Sequence, residues 1–165
     1  MSPRRRRPSA AVTSTTTVSA GTSASTAHIC RSCTSAAPRS RPALDRGEVV
    51  ITDRYTDSSV AYQGAGRDLG AAEVHDLQMW AVDALVPALT VVVDVAAAEG
   101  RRRRGDTHDR LESEEDTFHD AIRQHFLSMA AGHPERYLVV DGTEPPKGLH
   151  DAVMTRLEAM GLVDP

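Results

Sequence analysis

The run LTVVVDV at residues 89–95 most constrains how this chain can fold. It is apolar without the alternation that a one-sided strand shows, so it suits a strand covered on both faces. Such a strand needs packed elements above and below it. Two further runs share its character: EVVIT at 48–52, short and β-branched, and RYLVVDG at 136–142. Helical periodicity fills the intervals. Val74, Leu77, Ala81, Ala84 and Leu85 fall on one helical face between the first two strands. A second helix is expected near 115–131, after the charged stretch RRRRGDTHDRLESEED. Pro145 and Pro146 open a last helix, with Leu149, Val153, Leu157 and Met160 as its apolar stripe. This alternation implies an α/β domain with a parallel sheet, right-handed crossovers and helices on its faces.

The chain changes character near residue 42. Residues 1–44 carry seven arginines and no acid, whereas residues 45–165 carry 12 basic and 23 acidic residues, so 12 − 23 gives −11. Ser, Thr, Ala, Arg and Pro dominate residues 1–41. So few apolar side chains cannot offset the entropy of ordering, and a disordered low-complexity arm is expected there, with a domain at 42–165. An acid-free arm of this kind suits a transit peptide. It also suits a basic arm for nucleic acid, through the arginines at 4–7, or an out-of-frame start. The arm contains no aromatic residue to stack on bases, which weighs against nucleic acid as a partner. Cys30 and Cys33 form a C-x-x-C without a second ligand pair, and read as reduced thiols. No apolar run approaches the roughly 18 residues of a membrane span.

Each expected strand runs into an aspartate: Asp53, Asp94 and Asp141. In sheets of this type ligands bind at the carboxyl ends of the strands. Asp53 can hold a magnesium ion directly or through water. Arg54 offers a planar fork that grips phosphate at two points. Ser59, Tyr62 and Gln63 add hydroxyl and amide groups at short spacing, enough to read a base edge. The plainer alternative is an Asp53–Arg54 salt bridge capping the strand, with a polar loop beyond. GAGRD at 64–68 follows that polar turn and not a strand, so it does not read as a phosphate loop.

PALDRGEVVITDRYTDSSVAYQGAGRDLG, from Pro42 onward, resembles the central segment of bacterial thymidylate kinases. WAVDALVPALTVVVDV resembles the helix and strand that lead into that family's lid, and residues 101–142 resemble the lid, the next helix and the last strand. The resemblance covers about residues 42–165. It implies a partial P-loop-kinase-like three-layer fold with a parallel sheet, of which three strands are recognisable. It implies phosphorylation of dTMP to dTDP by ATP with Mg2+, a step toward dTTP. At matching positions Arg54 would bind the monophosphate and Asp53 the magnesium. Ser59 and Tyr62 would lie beside base and sugar, with Gln63 close by. Lid arginines, Arg104 and Arg110 among them, would close over the transferring phosphate, since this chemistry depends on positioning and charge neutralisation. Phe126 stands where the family often has a tyrosine near the nucleotide, and core packing is its alternative. The resemblance also implies a cytoplasmic protein, and homodimers through the helix with Val74, Leu77 and Trp80. Trp80 reads equally well as a core residue.

The chain departs from the family at its phosphate loop. That loop ends G-K-S/T, and its lysine reaches the ATP phosphates. No G-K-S or G-K-T occurs here, and the only lysine, Lys147, lies in PPKGLH. The family's E-P-G-G segment and the aromatic and arginine helix before RPAL are missing too. The expectation is a truncated or frame-disrupted kinase, weakly active or inactive. It would lack the central strand of its sheet, exposing apolar faces and unpaired edges. Two other functions stay open: a non-catalytic remnant that binds a nucleoside monophosphate or a partner subunit, and a basic-armed nucleic-acid-binding protein.

Overall fold

The three expected strands form within a residue or two of their sequence boundaries. They are β3 (Val49–Asp53), β4 (Leu89–Asp94) and β5 (Tyr137–Asp141). The computed structural model describes residues 14–20, 27–30, 40–65, 70–104 and 116–163. Two further strands lie within the arm, β1 (Ser14–Ala20) and β2 (Ala27–Cys30). A helical turn α1 at residues 40–45 precedes β3. After β3 come α2 (Thr56–Ser59), a π-helical turn (Val60–Ala65) and α3 (Ala71–Ala81). Helices α4 (Ala97–Arg104) and α5 (Asp116–Gly132) separate β4 from β5, and α6 (Pro146–Ala159) follows β5.

The five strands form one sheet in the order β2-β3-β1-β4-β5. β2 runs parallel to β3, and β4 parallel to β5. β1 occupies the centre and is antiparallel to both neighbours, with Thr16 opposite Asp53 on one side and Val91 on the other. This differs from the expectation for the arm. Its STTTVSA segment is β-branched enough to favour an extended backbone. β3 and β4 do not bond to each other, so without a strand between them each would present a row of unpaired N–H and C=O groups. β1 fills that gap, and the three recognised strands belong to a sheet of five.

The core lies on both faces of the sheet, as the unbroken apolar run requires. Leu89, Thr90, Val91 and Val92 are all buried. On one face α6 lays Leu157 on Val49, Leu89, Val91 and Val140, with Leu149, Val153 and Met160 beside it. On the other, Ile122, Phe126 and Ala130 of α5 pack with Ala61, Val92 and Tyr137. Phe126 is fully buried there, so it is a core residue and contributes roughly 1.5–3 kcal/mol through burial. Gly64 in the π-helical turn is required by contact: a Cβ at this position would stand 2.7 Å from the Ala71 Cα.

Two helices depart from the sequence reading. The arginine run at 101–104, placed by the resemblance in the lid, forms the last turn of a helix, α4, that the sequence reading did not include. Arginine is a good helix former, and Glu99 pairs with Arg102 at i+3 and Arg103 at i+4. Helix α3 stops at Ala81, so Ala84 and Leu85 do not extend its apolar face. Asp83 and Ala84 both take positive φ, 53° and 54°, which no helix continues. Trp80 is 81% exposed and Leu77 60% exposed, so the core reading of Trp80 does not hold. Among the described residues no helix is long and apolar enough to cross a membrane.

The central strand gives a direct prediction. Proline cannot donate to a ladder, and in a middle strand it leaves a partner group unpaired at a cost of about 1–3 kcal/mol. Thr16→Pro should lower the urea midpoint of the protein markedly. A midpoint equal to wild type would show that the pairing of β1 does not support the sheet.

Candidate functional site

β3, β4 and β5 all point the same way, since β3 and β4 are each antiparallel to β1 and β5 is parallel to β4. Asp53, Asp94 and Asp141 therefore share one edge of the sheet. Asp94 is level with Asp141 on adjacent strands. Asp53 is level with Val91, so it lies two strand spacings across the sheet from β4 and three residues short of Asp94, roughly 10 Å in each direction.

Their partners separate these three acids. Arg123 of α5 grips both oxygens of Asp94, at 2.6 and 2.7 Å. Asp141 accepts the hydroxyl of Thr143 at 2.7 Å and its backbone N–H at 2.8 Å. The Thr143 hydroxyl first, and then its amide, hold the Asp141 carboxyl below its ordinary pKa. Asp53 is exposed, and among the described residues its side chain makes no hydrogen bond or ion pair. It is the strand-end carboxylate left open to a ligand.

Arg54 does not pair with Asp53. Its φ of +64° turns the chain sharply out of β3. The guanidinium lies over the Tyr62 ring, with Cζ 4.9 Å from the centroid. Stacking uses the flat face of the group and leaves its N–H fork for an anion. Tyr62 meets Phe118 of α5 edge to face, with centroids 6.3 Å apart. Arg54, Tyr62 and Phe118 thus form one wall beside Asp53. Ser59 is half-buried at the end of α2, and Gln63 is exposed in the π-helical turn. Phe118 carries no mark in the sequence beyond its place early in α5.

The lid residues are less gathered. Arg104 ends α4, and Arg110 lies outside the described residues. Their neighbours Arg102 and Arg103 both bond Glu99, at 2.7 Å and 2.5 Å through Nε. Arg103 also donates to the Gly142 carbonyl at 2.7 Å. Hydrogen bonds from Arg102 and then Arg103 draw the Glu99 carboxyl down to about 2. Cys33 also lies outside the described residues, while Cys30 ends β2. Among the described residues no three His, Cys, Asp or Glu side chains gather as a metal cage. An open carboxylate such as Asp53 suits a magnesium ion held mainly by substrate phosphates.

Sequence reasoning missed the buried acid between these groups. Asp57 of α2 accepts from the Tyr137 hydroxyl at 2.8 Å, from Thr90 Oγ1 at 3.4 Å and from Arg136 Nη2. Its partner Arg136 is 79 residues away, so no local spacing announces the pair.

The Asp94–Arg123 pair is about three-quarters buried and doubly bonded. Asp94→Ala should lower stability by about 1–3 kcal/mol, measured by urea denaturation, because it strands a charged donor. A change within 0.3 kcal/mol would show that solvent replaces the pair at little cost, on the order of a surface bridge.

The profile of the family described as thymidylate kinase matches residues 25–153. The match begins within the arm and takes in β2 as well as the segment from Pro42. A thymidylate kinase of Clavibacter michiganensis subsp. michiganensis is 51% identical over 123 residues, 73% of this chain and 58% of that protein. The thymidylate kinase of Leifsonia xyli subsp. xyli is 48% identical over 72% of this chain and 57% of its own length. That of Deinococcus radiodurans is 43% identical, over 73% of this chain and 60% of its own length. The chain therefore spans a little over half the length of the curated relatives it matches. With the match covering most of its residues and the ligand edge built from the same segment, this chain belongs to the thymidylate kinase family.

Proposed function

We propose that the site binds dTMP through the segment from Asp53 to Gln63 and supports transfer of the γ-phosphoryl group of ATP to it, giving dTDP and ADP. The observation that carries this reading is the open pair at the sheet edge: Asp53 has no partner among the described residues, and Arg54 faces Tyr62 instead of Asp53. An arginine held on an aromatic face keeps its geometry while its fork stays available to the acceptor phosphate. Tyr62, Ser59 and Gln63 would orient base and sugar. Asp53 would hold magnesium, which when bound with ATP neutralises charge on the transferring group. Arg104 and Arg110 would supply cationic closure. The kinase-like domain would run from about residue 42, in a cytoplasmic protein.

A second reading is a nucleoside-monophosphate-binding protein without turnover. The absence of any G-K-S or G-K-T in the chain favours it, since the lysine of that motif organises charge on the ATP phosphates. ADP release with ATP, magnesium and dTMP separates the two, run beside dTMP titration calorimetry. Arg54→Ala should weaken dTMP binding about tenfold to a hundredfold, the worth of a charged hydrogen bond. Turnover lost in that variant supports the kinase; binding without turnover supports the second reading; no dTMP binding by the wild type overturns both.

Exposed Leu77 and Trp80 lie one turn apart on α3, with exposed Val86 beyond its end. Two copies meeting through this face would cover them. Sedimentation should then give a dimer for the wild type and a monomer for Trp80→Lys. Monomer for both would remove the homodimer.

A further inference from the structure

We infer that Asp57, through Arg136 and Tyr137, is the positioning residue for the acceptor site. The inference rests on the reading that Arg54 and Tyr62 bind the acceptor monophosphate. The segment that carries them cannot hold its own shape. Helix α2 has four residues, shorter than any helix that persists alone, and its start has no side-chain cap. Arg54 takes a left-handed φ that a residue with a Cβ disfavours. The continuation is a π-helical turn, a form rarely sustained by local bonding. Something outside the segment must therefore fix it.

Asp57 supplies that constraint at the centre of the segment. It stands three residues after Arg54 and five before Tyr62, and is 6% exposed. Its Oδ2 takes the Tyr137 hydroxyl at 2.8 Å, Thr90 Oγ1 at 3.4 Å and Arg136 Nη2. Thr90 and Tyr137 are neighbours on β4 and β5, paired in register. Arg136 lies immediately before β5, with its guanidinium 4.6 Å from the Tyr137 ring. The carboxylate thus bolts α2 to the amino-terminal residues of two sheet strands. Burial disfavours charge on Arg136, and Asp57 with Tyr137 more than offsets this, so Arg136 stays charged. Without the carboxylate, Arg136 loses its counterion and the Arg54–Tyr62 wall loses its anchor.

The test compares full-length wild type, Asp57→Asn, Tyr137→Phe and Leu157→Ala. Leu157 sits in the core on the other side of the sheet, so its variant reports plain destabilisation. Hydrogen exchange over residues 54–63 and calorimetric affinities for dTMP and ATP are measured at a temperature where each variant is folded. Asp57→Asn should speed exchange in that segment and weaken dTMP about tenfold, with ATP affinity unchanged, while Leu157→Ala does neither. Tyr137→Phe, which removes a single donor, should move both in the same direction by about threefold and decides the matter if Asp57→Asn does not fold. Wild-type exchange over 54–63 in the Asp57 or Tyr137 variant overturns the inference. So does an equal loss of dTMP affinity in Leu157→Ala. A wild type that binds no dTMP removes the functional reading alone, since the exchange comparison still decides whether Asp57 positions the segment.

Discussion

β3 and β4 do not pair with each other, and the backbone of one strand between them holds the sheet together. Val49–Asp53 and Leu89–Asp94 each bond β1 along five residues. That arrangement sets the width of the ligand edge. Asp53, level with Val91, is separated from Asp94 by two strand spacings across the sheet and three residues along it, roughly 10 Å each way, so the two carboxylates do not meet. It also permits the two-sided core. Val91 and Val92 face opposite helical layers because side chains alternate along a strand, and β1 and β5 satisfy the backbone of β4 on its two sides.

Much of this was legible in the sequence because burial leaves a clear mark. LTVVVDV marks a doubly covered strand, and the stripe of Leu149, Val153 and Leu157 marks the helix that covers it. Asp53, Arg54 and Tyr62 were legible through their place after a strand. The rest failed for separate physical reasons. The helix that contains the 101–104 run was not foreseen because charge alone does not report the Glu99 pairs that stabilise it. Ser14–Ala20 is too polar to be read as core, yet a strand in the middle of a sheet is retained by backbone bonds that carry no side-chain signature. Asp57 stayed hidden because its partner Arg136 sits beyond a π-helical turn, three helices and one strand in sequence.

The strand-end aspartates show why position alone does not make a site. All three have the same placement, and two are consumed by the protein. Asp94 fixes α5 through Arg123, and Asp141 folds back on Thr143 to close a turn. That closure depends on Gly142, where a Cβ would lie 2.3 Å from Val95 Cγ2. The acid that remains exposed is the one beside the stacked arginine. Structural pairing of its neighbours thus concentrates the unneutralised charge of this edge at Asp53, next to a cation whose own partner is an aromatic ring.

The direction of β1 carries the last consequence. Ser14 lies opposite Val93, so the amino end of β1 meets the ligand edge and Ala20 lies at the other edge, opposite Val49. A strand that ends at the ligand edge can lead straight into a helix whose first amides face a phosphate. β1 leaves the sheet in the opposite direction, so its own carboxyl end cannot deliver such amides beside Asp53. β4 and β5 do end at this edge and lead into α4 and α6, while β3 delivers the guanidinium of Arg54 there. How that guanidinium is placed depends on its stacking on Tyr62 and on the contacts that Asp57 makes from α2 to β4 and β5.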